Sequence, residues 1–204
     1  NSPNRRLLVA DEVGLGKTIE AALIISQHWA EHKRHILIIA PATLRKQWSA
    51  ELDEKFFLPS LILEKKNFNQ ILSDTYRNPF DTEAAIVICS YQFAAKQMMH
   101  LQRVNWDLVV MDEAHKLRNV YKGNNKIGGA IKTALQPYRK LLLTATPLQN
   151  DLKELYGLVS IIDDGFFGSL KGFTDQYSKV SLRSKDTYAD LRKRIAPIIH
   201  RTLR

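Results

Sequence analysis

Asp11-Glu12-Val13-Gly14-Leu15-Gly16-Lys17-Thr18 places two glycines, a lysine and a hydroxyl between a short apolar run and an amphipathic stretch. Glycines let the backbone curl so that successive N–H groups face phosphate oxygens, and a helix starting near Lys17 adds its positive dipole end. In that setting the Lys17 ammonium reaches the β and γ phosphates of a nucleotide, and the Thr18 hydroxyl ligates Mg²⁺. Mg-ATP is the expected ligand. The general pattern G-x-x-x-x-G-K-[ST] has glycine where this chain has Asp11. A glycine turn before a helix also arises by chance; strand, loop, Lys-Thr and helix in register argue against chance here.

A second cluster, Asp112-Glu113-Ala114-His115, follows the apolar run Leu108–Met111. The carboxyl end of a buried parallel strand is where such sheets bind ligands. Asp112 there can hold Mg²⁺, directly or through water, and Glu113 can orient and polarise the attacking water. Alone, these four residues could be a solvated strand end. With the glycine loop about 95 residues upstream they form the acidic half of a phosphoryl-transfer site. Leu143-Thr144-Ala145-Thr146-Pro147 ends another apolar run. The hydroxyls of Thr144 and Thr146 could hydrogen-bond those carboxylates and relay nucleotide state. By itself the segment is an ordinary strand-to-turn junction with Pro147 as breaker.

These clusters need a frame. Apolar runs at Arg6–Ala10, Ile36–Ala40, Ala85–Cys89, Leu108–Met111 and Lys140–Leu143 are short and non-alternating, as strands buried on both faces are. Helical patterns at Lys17–Glu31, Leu44–Phe56, Tyr91–His100, Ile127–Leu135 and Leu152–Ile162 separate or follow them. The alternation predicts an α/β fold with a mostly parallel central sheet between two helical layers. Leu61–Glu64 is a candidate edge strand. The polar stretch Glu64–Glu83, ending at the turn signal Asn78-Pro79, reads as a surface excursion. Leu117–Gly129, with three glycines and three asparagines, reads as a loop. After Asp163 the pattern changes to a glycine-punctuated aromatic stretch and a basic amphipathic helix at Lys185–Ile195. Residues 1–164 are expected to form the nucleotide-binding domain. Residues 165–204 are expected to be a helical extension and not another βα unit.

Composition narrows the classes. The chain has 204 residues, 45% hydrophobic and 25% charged, as an ordinary globular domain has. No apolar run reaches the ~18–20 residues of a membrane span, and the basic start lacks a signal-peptide apolar segment. A cytoplasmic location with no membrane partner is expected, nucleoid-associated in a bacterium. One cysteine, Cys89, excludes an internal disulfide and is expected in the core. His28, His32, His35, His100 and His200 lack metal-ligand spacing and are expected at the surface; Trp48 and Tyr91 are expected to pack. The net charge of +9 favours polyanionic partners. Residues 165–204 hold nine Lys or Arg against three Asp, so most of the excess sits there.

Taken together, the motifs resemble the first RecA-like lobe of superfamily 2 helicases, specifically the Swi/Snf-type DNA translocases. Asp11–Thr18 is similar to that family's motif I, in which Asp is usual where other phosphate loops have Gly. Ile39-Ala40-Pro41-Ala42-Thr43-Leu44, with Gln47-Trp48, resembles motif Ia. Cys89-Ser90-Tyr91 resembles the motif before the acidic strand, Asp112–His115 is similar to motif II and Leu143–Asn150 to motif III. Pro197–Thr202 resembles, more loosely, the segment before the second lobe. The resemblance implies a P-loop three-layer sandwich with a C-terminal helical protrusion, ATP and Mg²⁺ as cofactors, and duplex DNA as partner. It also implies a second RecA-like lobe of the same full-length protein, which supplies an arginine from across the cleft. A lobe alone is then expected to hydrolyse ATP weakly. By the same resemblance His115, with Thr144 and Thr146, couples nucleotide to DNA, and Thr43, Leu44, Arg45, Ser90, Gln149 and Asn150 contact DNA. Backbone contacts of this kind hold phosphates without reading bases; Lys46 and the basic tail would add salt-dependent affinity. The stretch Asn78–Glu83 with Cys89-Ser90 is similar to the bacterial branch that includes the RNA-polymerase-recycling ATPase, which implies a DNA-bound protein such as RNA polymerase as a further partner. A strand-separating DNA or RNA helicase lobe and a nucleotide-binding regulatory module are the alternatives.

Overall fold

Strands that are apolar at every position need cover on both faces, and the chain supplies it with alternate helices. The computed structural model describes residues 7–9, 16–146, 151–179 and 185–200. Among these residues seven strands form one sheet: β1 (Leu7–Val9), β2 (Ile36–Ala40), β3 (Ser60–Ile62), β4 (Ile86–Ser90), β5 (Leu108–Met111), β6 (Lys140–Leu143) and β7 (Ile199–His200). Their order is β3-β4-β2-β5-β6-β1-β7, and every pairing is parallel. The period of two divides each strand between two cores. Ile36, Ile38, Ala40, Leu108 and Val110 face α1 (Lys17–Ala30) and α2 (Arg45–Phe56), represented by Ala21, Ala22, Ile25, Trp48 and Leu52. Leu37, Ile39, Val109 and Met111 face the opposite layer. That layer contains α3 (Lys65–Thr75), α4 (Tyr91–Lys96), α5 (Met98–Leu101), α6 (Lys126–Leu135) and α7 (Leu152–Ile162).

The expected strands, most helices and the edge strand agree with these elements to within a residue or two. Three expectations change. The stretch 64–83 is not an excursion. Phe68, Ile71 and Leu72, spaced i, i+3 and i+4, give α3 one apolar face, and a reciprocal Glu64–Asn67 capping box starts it. Phe68 and Phe80 are fully buried, with ring centroids 5.6 Å apart. The helix expected over Tyr91–His100 breaks at Gln97, where φ −102 and ψ 22 leave the helical region, giving α4 and α5. The tail is not purely helical. Leu170–Thr174 forms α8, Asp175–Lys179 a short π-helix and Lys185–Ile195 α9. The chain then returns to the sheet as β7, where Leu8 pairs with Ile199 and the Leu8 N–H donates to the Ile198 carbonyl at 2.8 Å. Phe167, Phe173, Tyr177, Leu191 and Ile198 pack this tail onto Leu155 and Val159 of α7.

One contact ties α7 to the turn after Asp112. A Cβ on Gly157 would lie 2.0 Å from the Arg118 carbonyl oxygen, so only glycine allows this approach. Glu154, buried one turn earlier, pairs with Arg118 Nε at 3.6 Å.

Candidate active site

The strand order gathers the motifs. β6 lies between β1 and β5, with Val9 beside Leu143 and Met111 beside Leu142. The chain therefore leaves for the glycine loop, for Thr144 and for Asp112 from three adjacent strand ends. β2 and β4 continue the row, with Ala40 beside Ser90 and Ile39 beside Met111. All five motifs emerge at the carboxyl edge of the sheet, where open α/β sheets bind ligands.

At that edge a cleft of about 380 Å³ is lined by Gly16, Lys17 and Thr18 on one side and by Asp112 and Glu113 on the other. Gly16 has φ 83, a left-handed conformation that side chains resist, and hands directly into α1. Lys17 and Thr18 therefore occupy the first turn of α1, at its positive end. Asp112 is buried, and both of its carboxylate oxygens are held. Oδ2 accepts from Trp48 Nε1 at 2.8 Å and Oδ1 from the Glu113 N–H at 2.8 Å. Burial pushes its pKa above the usual carboxylate value. The two hydrogen bonds oppose that, the Glu113 charge adds to it and Lys17 draws it back. The Asp112 backbone is pinned too: its N–H donates to the Ile39 carbonyl at 2.8 Å, and its carbonyl accepts from the Tyr91 hydroxyl at 2.6 Å. Burial raises the Tyr91 pKa well above normal, with Asp112 and Glu113 adding to it, so the phenol stays a donor.

Glu113 adopts φ 51, unusual for a residue with a side chain, and its carboxylate meets His115 Nδ1 at 2.9 Å. Thr144, fully buried, has its hydroxyl 3.5 Å from the same imidazole nitrogen, and it accepts from the Thr146 N–H at 3.2 Å. The expected Thr144 link to the carboxylates thus runs through the His115 ring. Thr146 is exposed and meets Thr144 through its backbone.

The donors suit Mg²⁺. A hydroxyl and a carboxylate are hard oxygens, and Mg²⁺ commonly takes one or two protein ligands, completing its shell with water and phosphate. Among the described residues no group of three or more His, Cys, Asp or Glu could hold a metal by itself. Thr18 and Asp112 are the residues that would hold such an ion, with the rest of its shell supplied by water and phosphate.

The remaining expected site residues divide. Asp11, Glu12, Val13, Gly14 and Leu15 lie outside the described residues, as do Gln149 and Asn150. Thr43 is exposed beyond β2, and Lys46 is exposed on the first turn of α2. Leu44 lines the nucleotide-side cleft. Arg45 is held by Glu64 at 2.9 Å and by the Ala42 carbonyl at 3.2 Å, which braces the loop after β2. The Ser90 hydroxyl accepts from the Phe93 N–H at 3.2 Å and so caps α4. Cys89 is in the core, its thiol pushed up to about 12 by burial. His28, expected at the surface, is buried between the Ile24 carbonyl and Arg139. The sequence reading missed Gln47, Glu51 and Lys55 as cleft residues. The signal was available: with Leu44 and Trp48 they follow the three- and four-residue spacing of one helix face.

A model of the SNF2-related domain matches residues 1–204, and the chain belongs to that family. It is 36% identical over 194 residues to the "uncharacterized ATP-dependent helicase YqhH" of Bacillus subtilis (strain 168), covering 92% of this chain and 32% of that protein. It is also 36% identical over 181 residues to the RNA polymerase-associated protein RapA of Proteus mirabilis (strain HI4320), covering 86% of this chain and 18% of that one. The chain thus spans about a third or less of these relatives' lengths. Among solved structures, the Sulfolobus solfataricus SWI2/SNF2 ATPase core in complex with dsDNA matches 97% of this chain and 40% of that one, with a TM-score of 0.78 and 24% identity. The fold is the RecA-like α/β fold of that core. No helix among the described residues is long and apolar enough to cross a membrane.

Proposed function

We propose that this chain is the first ATPase lobe of a DNA-dependent translocase, coupling Mg-ATP hydrolysis to movement on duplex DNA and to remodelling of protein–DNA complexes. The observation that supports it most is the convergence of Lys17, Thr18, Asp112 and Glu113 on one cleft. In this reading Asp11–Leu15 complete the phosphate cradle begun at Gly16, and Lys17 neutralises charge on the β and γ phosphates. Thr18 and Asp112 hold the metal, which when bound offsets charge on the phosphoryl oxygens. Glu113 orients the attacking water once its carboxylate leaves His115, and His115 and Thr144 pass that change to the edge formed by β2 and β4.

That edge is the DNA side, with the exposed Thr43 and Lys46 toward phosphates and Ser90 acting there by capping α4; Gln149 and Asn150 are further candidates for DNA contact. Arg45 acts there by bracing the loop, and Leu44 by closing the nucleotide cleft. Residues 165–204 lead toward a second RecA-like lobe whose arginine completes the site, so the lobe alone turns over slowly. The likeness to a protein named RNA polymerase-associated supports RNA polymerase as a remodelled partner.

The test is the ATPase rate of the full-length protein with no nucleic acid, single-stranded DNA, duplex DNA and RNA. Duplex-selective stimulation is expected. Stimulation by single strands or RNA alone identifies a strand-separating helicase, and indifference to all of them identifies a nucleotide-controlled regulatory module.

A further inference from the structure

Trp48 is the largest fully buried side chain among the described residues, yet it also lines the cleft. Its indole N–H donates to Asp112 Oδ2 at 2.8 Å across 64 residues of sequence, and the bond is buried. An indole N–H is a donor only; it takes no proton from a reacting group. The ring projects from α2 into the core it shares with Ala40 and Leu52, which holds it in place. The bond therefore comes from a fixed point. With Oδ1 already taken by the Glu113 N–H at 2.8 Å, both rotations of the Asp112 side chain are settled before any ligand arrives.

We propose that Trp48 is a positioning residue for Asp112: it pre-sets the carboxylate for the metal that accompanies the nucleotide. The inference rests on the Mg-ATP reading of the cleft. A carboxylate free to rotate must be ordered when the metal binds, whereas one already held by a buried donor need not be. Hydrogen bonds behind a metal ligand typically carry about 10–100-fold of metal affinity. The ring fills the core whether or not its N–H is present, so packing and positioning can be separated by removing one hydrogen.

The experiment uses full-length protein in which Trp48 is replaced by benzothienylalanine, which keeps the ring shape and lacks the N–H, alongside Trp48→Phe. Binding of the β,γ-imido analogue of ATP is titrated calorimetrically with Mg²⁺ and, separately, with EDTA. The isostere is expected to keep the wild-type melting temperature and the EDTA affinity, while the gain in affinity conferred by Mg²⁺ falls about 10-fold or more. ATPase kcat should recover at high Mg²⁺, because the ligand itself is intact. An isostere with the wild-type Mg²⁺ gain overturns the positioning role, and so does equal weakening in Mg²⁺ and EDTA. Wild-type protein that binds no nucleotide under either condition overturns the reading of the cleft and this inference with it.

Discussion

Replacing Gly157 by alanine sets two physical effects against each other. Helix propensity alone favours the change, since glycine inside a helix costs about 0.5–1 kcal/mol relative to alanine. The structure opposes it. The new Cβ would sit 2.0 Å from the Arg118 carbonyl oxygen, 2.9 Å from its carbon and 3.2 Å from Tyr121 Cδ1. Even a close C–H···O contact needs about 3.3 Å, so α7 and the turn at Arg118 must separate by roughly 1 Å or more. Neither side yields easily: α7 buries Leu155, Leu158, Val159, Ile161 and Ile162, and the turn directly follows the buried residues Ala114 and Leu117. Overpacking of this kind costs about 1–3 kcal/mol. A clash with backbone belongs in the upper part of that range, about 2–3 kcal/mol, so after the propensity gain the net loss is about 1–2.5 kcal/mol, which for a domain of this size lowers the melting temperature by roughly 2–10 °C. Thermal melts of wild type and Gly157→Ala measure it. Because the displaced turn carries His115, nucleotide turnover should fall further than the loss of folded protein accounts for. A variant that melts at or above wild type refutes the steric argument.

Phe68→Ala removes the ring that meets Phe80, Phe93 and His100; chemical denaturation should show a loss of about 3–5 kcal/mol with little change in nucleotide affinity. His28 is held neutral, donating from Nδ1 to the Ile24 carbonyl at 2.9 Å and accepting at Nε2 from Arg139 at 3.2 Å. Burial sets its pKa below the ordinary 6.5, so as pH falls the unfolded chain takes up a proton that the folded chain resists. Its stability contribution is present above that value and is lost as pH drops through the folded pKa; melting temperatures down an acid series should fall more steeply in wild type than in His28→Asn. Lys46→Ala removes an exposed cation beside the loop after β2, and the slope of duplex affinity against salt should shrink by about one ion.

Much of this was legible because local pattern and global position coincide. Ile36–Ala40 and Leu108–Met111 announce buried strands, and the glycine loop and Asp112-Glu113 fall where strands end. What stayed hidden was either short or distant. The apolar face of α3 is three residues in an otherwise polar stretch. β7 has only two residues and follows Pro197, so no periodicity marks it. The Trp48–Asp112 bond and the Gly157–Arg118 approach join residues 64 and 39 positions apart, and spacing rules that operate within one element cannot see them. His28 looked like a surface histidine because its partner Arg139 lies 111 residues away.

The place of β1 in the sheet sets an order of assembly. It precedes the sheet's other described strands in sequence, yet its neighbours are β6, at Lys140–Leu143, and β7, at Ile199–His200. During synthesis the strand that delivers the phosphate loop has no partner until β6 emerges, and one of its edges stays open until β7 does. Unpaired strand edges invite pairing with other chains, and contacts between such distant residues form slowly. The β2–β4–β5 half of the sheet can close earlier, from segments nearer in sequence. The β1 side of the sheet, next to the nucleotide pocket, is therefore completed after the β2–β4–β5 half, once β6 and then β7 have been made.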